Sequence, residues 1–175
     1  MRHRLALAVL LVMALLLLFQ PGRAVGDGAT PPDRGDYPRW QWPVEAPQEV
    51  VEPYRAPVHR YGAGHRGVDV RAEVGAAVRA PADGVVAFRG VVVDRPVLTL
   101  EHAGELVSSY EPLASDLAPG TAVSVGDVIG TVAVGGHAAA GTLHVGVRVR
   151  GEYVNPMLLF GDVPRAVLLP CCHDG

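Results

Sequence analysis

The chain has 175 residues, of which 15 are arginine, none is lysine and 18 are acidic, and the resulting net charge of −3 disfavours a nucleic-acid partner. Its two cysteines are the adjacent Cys171 and Cys172, too close together and too near the end to staple a fold, so stability must come from a packed core. The absence of lysine excludes a biotin- or lipoyl-carrier domain, whose cofactor is tethered to that side chain, although the β-rich texture would suit one.

Taken in chain order, residues 1–24 carry Arg2 and Arg4, an unbroken apolar run from Leu5 to Phe19, and the small-residue site Gly22-Arg23-Ala24. That is the layout of a secretory signal peptide, shorter than the ~20 residues a membrane-crossing helix needs. The expectation is export to the cell envelope or beyond, with the membrane as a partner only if the leader is retained as an anchor. Residues 25–58 are proline-rich and aperiodic and read as a linker, whose aromatics Tyr37, Trp40, Trp42 and Tyr54 are expected to pack on the domain that follows.

From His59 to Gly161 short valine, leucine and isoleucine runs alternate with glycine, and no stretch supports a helix of ten residues. Strands are expected at 67–71, 84–93, 97–102, 106–110, 128–134 and 142–150, with tight turns at Ala103-Gly104 and Gly151-Glu152. The fold class is therefore all-β, a compact and mainly antiparallel domain. Residues 162–175 form a tail.

Among seven histidines two keep chemical company. His65 and Asp69 flank Gly67, which can bend a segment that would otherwise hold their Cα atoms ~13 Å apart. As a bare pair they read first as a surface turn closing on a charged pair. His144 adds weight to the metal reading. On a strand, Leu143, Val145, Val147 and Val149 share the core face, while Thr142, His144, Gly146, Arg148 and Arg150 share the other. Two histidines and one carboxylate suit a zinc ion with one tetrahedral position left open, the arrangement of a catalytic site. His102 reads as a satisfied strand-end residue. His137, in the loop 135–141, reads as solvated.

Five segments in order carry a resemblance: His65-Arg66-Gly67-Val68-Asp69, Val78 to Val86, Ser108-Ser109-Tyr110, Val123 to Gly130, and Leu143-His144. Together they resemble the lysostaphin-type (LytM-type) zinc metallo-endopeptidases, which cut peptide bonds in peptidoglycan. The resemblance implies a two-layered β domain with His65, Asp69 and His144 as Zn2+ ligands, hydrolysis by a zinc-activated water, and peptidoglycan stem or cross-link peptides as partners. It also exposes a departure. The family usually has His-Leu-His where this chain has Thr142-Leu143-His144, and Tyr-x-His where it has Tyr110-Glu111-Pro112. Both proton-handling partners are thus replaced, and Glu111 is a possible substitute base. Weakened hydrolysis and a non-catalytic wall-binding or hydrolase-regulating role are both compatible with that pattern.

Overall fold

The computed structural model describes residues 37–136, 139 and 141–161. The leader, His137, the tail and Cys171-Cys172 lie outside the described residues. The strands are β1 (Val50–Glu52), β2 (Gly67–Arg71), β3 (Ala77–Arg79), β4 (Gly84–Val92), β5 (Arg95–His102), β6 (Leu106–Glu111), β7 (Leu113–Ala114), β8 (Ala122–Val123), β9 (Val128–Val132), β10 (Thr142–Val149) and β11 (Glu152–Val154). Among the described residues the helical content is one 3₁₀ turn at Ala103–Glu105 and a single turn of α-helix, α1 (Met157–Phe160). None of these helices is long and apolar enough to cross a membrane.

A large sheet has the order β1-β2-β10-β6-β5-β4-β8, with β11 paired to the far end of β10, and a small sheet has the order β3-β9-β7. Every pairing is antiparallel. The cause is the two-residue alternation. Val68 and Val70, Leu98 and Leu100, Ser108 and Tyr110, and Leu143, Val145 and Val147 point to one face of the large sheet and are fully buried there. Val78, Leu113, Ile129 and Val132 of the small sheet enter the same core. The all-β, two-layer expectation holds.

Differences in detail have local reasons. The β10–β11 turn is centred on Arg150-Gly151, one residue earlier than expected. Both residues have positive φ, 50° and 84°, the backbone that matches strand twist in a two-residue hairpin. The aromatics before the domain do pack on it. Trp40 is buried and its amide donates to the Leu159 carbonyl (3.0 Å), while Trp42 stacks on Phe160 at 4.8 Å.

His102 is satisfied as expected. Its Nδ1–H donates to the Asp83 carbonyl (2.8 Å), so Nε2 accepts from the Ser108 hydroxyl (2.7 Å), which in turn accepts from the Tyr110 hydroxyl (2.9 Å). A serine beside a histidine would suggest a nucleophile, but Ser108 is fully buried, so the chain of three is a structural tie in the core. Burial pushes the Tyr110 phenol well above its ordinary value, and burial also lowers the pKa of His102 against the opposing pull of the Asp83 carbonyl.

Candidate metal centre and groove

The opposite face of the large sheet builds the site, row by row. Antiparallel register sets Asp69 of β2 opposite His144 of β10, and His144 opposite Glu111 of β6. Directly opposed residues have Cα atoms about 4.5–5.5 Å apart, so one row carries a carboxylate, an imidazole and a second carboxylate across three adjacent strands. The next row is Gly67, Gly146, Ser109, Thr99 and Phe88, running from β2 to β4. Four small residues in succession make a floor.

Close approach requires glycine at 67 and leaves little room at 146. A Cβ on Gly67 would sit 2.6 Å from both Cε1 and Nε2 of His144 and would run into the Val145 carbonyl oxygen. A Cβ on Gly146 would lie 2.7 Å from the Ser109 hydroxyl. Gly67 therefore makes room for the His144 ring, a more specific role than bending the segment.

His65 arrives from outside the sheet. Its backbone forms a two-way bridge with Arg55, amide to carbonyl at 2.9 and 3.0 Å, which brings the side chain back over β2. Its Nδ1 lies 2.8 Å from the Pro53 carbonyl. A carbonyl only accepts, so Nδ1 carries the proton and the Nε2 lone pair faces the site. There His65 Nε2 is 3.1 Å from Asp69 Oδ1 and 3.1 Å from His144 Nδ1, and His144 Nδ1 is 2.7 Å from the same Asp69 oxygen. All three residues are over 90% buried.

Three acceptor-bearing atoms so placed call for a cation or a shared proton between them. Ligand atoms about 2.0–2.1 Å from a tetrahedral zinc ion lie about 3.3 Å apart, close to the separations seen. The Pro53 carbonyl behind His65 is the outer partner that metal-ligating histidines usually have. Burial works to raise the pKa of Asp69, but hydrogen bonding and charge from His144, helped by His65, outweigh it and hold the carboxyl below its ordinary value. The ionised form a metal requires is the favoured one. Among the described residues, His65, Asp69 and His144 form the one group of three suited to hold a metal.

The two positions without histidine differ in kind. Thr142 is buried and its hydroxyl donates to the Ala139 carbonyl at 2.6 Å, so its only proton is already spent. Pro112 follows a cis peptide bond and offers no donor. Glu111 does face inward and lines the groove with His65 and His144. Its carboxylate, however, accepts from Arg95 Nε at 2.8 Å, with both side chains largely shielded from solvent. The Arg95 stem lies against the backbone of Gly136, where an added Cβ would strike it. Its guanidinium also reaches Asp94 at 3.2 Å.

The groove has a volume of about 520 Å³ and runs along the sheet face beside the three-residue cluster. Phe88, Val92, Val97 and Tyr153 line it, together with Arg66, Arg95 and Arg148. Sequence reasoning missed Pro53, Arg95 and Arg148. The alternation that put Arg148 on the face of His144 was the one signal that could have found any of them.

The sequence pattern of peptidase family M23 matches residues 63–156. An uncharacterized protein of Mycobacterium tuberculosis is 37% identical over 139 residues, covering 76% of this chain and 56% of that protein. The DD-carboxypeptidase/endopeptidase Mpg of Neisseria meningitidis serogroup B is 34% identical over 94 residues, 53% of this chain and 22% of that protein. The chain thus spans little more than half the length of the first relative and under a quarter of the second. A zinc containing peptidase from Vibrio cholerae has the same fold, with a TM-score of 0.61 at 23% identity over 73% of this chain and 41% of that one.

Proposed function

The chain belongs to peptidase family M23, and from that premise we propose that it is an exported zinc metallo-endopeptidase acting on peptidoglycan cross-link peptides, slower than relatives that keep both partner histidines. The observation that carries the proposal is the convergence of His65, Asp69 and His144 within hydrogen-bond distance of one another, with both histidines lining an open groove. Export rests on the apolar run from Leu5 to Phe19 behind two arginines.

Zinc held there would polarise a peptide carbonyl and lower the pKa of water to about 7. The chain's own residues do the rest. Pro53 fixes which nitrogen of His65 faces the groove. Asp69 supplies the negative charge. Glu111, one strand over from His144, is the proton acceptor at hand, and its carboxylate is already engaged by Arg95. Thr142 and Pro112 hold no proton that could follow the reaction. Losing a general acid-base or oxyanion group costs ~10²–10³-fold in rate, and such losses are not additive.

The test is direct. Zinc-loaded protein, metal-stripped protein and His144→Ala are incubated with cross-linked muropeptides, and new amino termini are read by mass spectrometry. Termini formed by the zinc-loaded protein alone support the enzyme; none in any sample removes the claim. A second reading is favoured by one specific observation, that the Thr142 hydroxyl and the Glu111 carboxylate are both already engaged. On it the groove binds wall peptides without cutting them and positions another hydrolase. Retention on intact sacculi with no release of fragments is the result it expects.

A further inference from the structure

The charge around the groove runs against the charge of the chain. The protein as a whole is acidic, with a net charge of −3, yet the groove is lined by three arginines, Arg66, Arg95 and Arg148, and by a single carboxylate, Glu111. Two of the three arginines are committed. Arg95 is bound to Glu111 and Asp94, and Arg66 donates to the carbonyls of Arg60 and Gly62 at 2.9 and 3.0 Å. Arg148 has no acidic partner among the described residues. Its guanidinium lies over the ring of Tyr153, 5.8 Å from the centroid, and Tyr153 is its directly opposed residue on β11. A cation held over an aromatic face is oriented without being neutralised.

Arg148 also has a defined place. It follows His144 and Gly146 on the groove face of β10, four residues from the histidine, or ~13 Å along the strand. An extended peptide lying in the groove advances ~3.3–3.6 Å per residue, so that distance corresponds to about four peptide residues.

We propose that Arg148 is a specificity-determining residue that binds a carboxylate carried by the peptide substrate about four residues from the bond at the metal centre. This rests on the peptidase reading for the identity of that bond, but the recognition step stands on the groove alone. A guanidinium in a partly shielded groove takes a carboxylate through paired hydrogen bonds, and such charge-assisted contacts are the strong ones. The carboxylate can be the peptide's own C-terminus or an acidic side chain, since both present the same two oxygens.

The experiment uses zinc-loaded full-length protein and three fluorescently labelled peptides of one sequence. One ends in a free carboxylate four residues from the expected cleavage point, one is C-terminally amidated, and one is amidated but carries glutamate at that position. Binding is read by anisotropy and cleavage by mass spectrometry. At least one charged peptide is expected to bind about 10- to 100-fold more tightly than the neutral one, and which of the two shows the gap identifies the source of the carboxylate. Arg148→Gln should abolish the gap, Arg148→Lys should keep part of it, and Arg150→Gln, whose side chain is paired with Glu105 outside the groove, should keep all of it. Unchanged zinc affinity in Arg148→Gln shows that the variant is folded. Equal binding of all three peptides, or a gap that persists in Arg148→Gln, overturns the proposal. A gap in binding without cleavage leaves it standing while sinking the enzyme reading, and cleavage without a gap does the reverse.

Discussion

Replacing Gly67 by alanine tests whether the floor of the groove is what seats His144. The added Cβ would lie 2.6 Å from two ring atoms of His144 and against the Val145 carbonyl oxygen, where carbon contacts settle at about 3.5–4.0 Å. Relief needs a shift of roughly 1 Å. The carbonyl lies in the β2–β10 ladder, where Val145 faces Val68, so it yields less readily than the ring. The imidazole therefore moves, and its Nδ1 leaves the 2.7 Å contact with Asp69. Overpacking of this kind costs about 1–3 kcal/mol of stability without metal. Outer partners of metal ligands, which act only by orienting them, are worth about 10–100-fold in affinity, so displacing a ligand should weaken zinc binding by at least about 100-fold, or about 2.7 kcal/mol. The assay is chelator competition for zinc, beside urea unfolding of the metal-free protein. Gly75→Ala is the control. Its Cβ meets nothing within 4 Å and its φ is +88°, so it should lose about 1 kcal/mol from backbone strain and leave zinc affinity untouched. Wild-type zinc affinity in Gly67→Ala would refute the account of why glycine is needed there.

Zinc at 100 times its dissociation constant should stabilise the protein by about 2.7 kcal/mol, seen as a rise in melting temperature that EDTA reverses; a melting temperature indifferent to both argues that the cluster holds no ion. The same stabilisation should weaken as the solution is acidified, because protons compete with the metal for its ligand atoms. Glu111→Gln should slow cleavage about 10²-fold or more with zinc affinity retained, and full activity in that variant removes Glu111 from proton transfer. Tyr110→Phe takes one donor from the buried Ser108 tie while His102 still holds that hydroxyl, so the loss should be about 0.5–1.5 kcal/mol in urea unfolding. The folded pKa of His102 lies below its ordinary 6.5, so the unfolded chain takes up the proton first as pH falls. Its contribution is complete above about pH 6.5 and is lost as pH drops towards the folded value, so the stability gap between wild type and His102→Gln should narrow from pH 7.5 to pH 5.5, measured in EDTA; a widening gap would show the sign to be wrong.

Much of the fold could be read from the chain because one face of the large sheet is apolar apart from the buried tie of His102, Ser108 and Tyr110. Period-two runs placed β2, β4, β5, β6, β9 and β10 to within two residues at each end. Short strands escaped for the same reason. Val50–Glu52, Ala77–Arg79, Ala122–Val123 and Glu152–Val154 hold two or three residues each, too few to display a period, and they exist because a longer neighbour offers its edge. The segment around Trp40 and Val44 looks unstructured because its partners, Leu159 and Phe160, are over a hundred residues away. The three-residue cluster showed itself through residue type and spacing. Pro53 could not, since its contribution is a backbone carbonyl that any residue would supply. Arg95 could not, since its pairing with Glu111 depends on how β5 and β6 lie side by side.

What the sequence could not settle is whether Thr142 and Pro112 mark decay or retuning, and the register narrows the choice. Three polar side chains, His65, Asp69 and His144, are buried together where an apolar cluster would pack with no desolvation to offset, and Gly67 leaves the room that seats the His144 ring among them. That arrangement is the one an ion would stabilise. The proton-handling positions, by contrast, hold Thr142, engaged by the Ala139 carbonyl, and Pro112, which has no proton to give, while the adjacent Glu111 is engaged by Arg95. The residues suited to hold an ion and those near the proton-handling positions thus sit on separate parts of the fold, the first on β2, β10 and the Arg55–His65 bridge, the second at the ends of β6 and β10. Restoring histidine at Thr142 then isolates the second set. If proton transfer is what limits cleavage, Thr142→His should raise its rate by about 10²–10³-fold with zinc affinity unchanged, and a variant that binds zinc normally yet cuts no faster would place the limit in the engagement of the peptide by the groove.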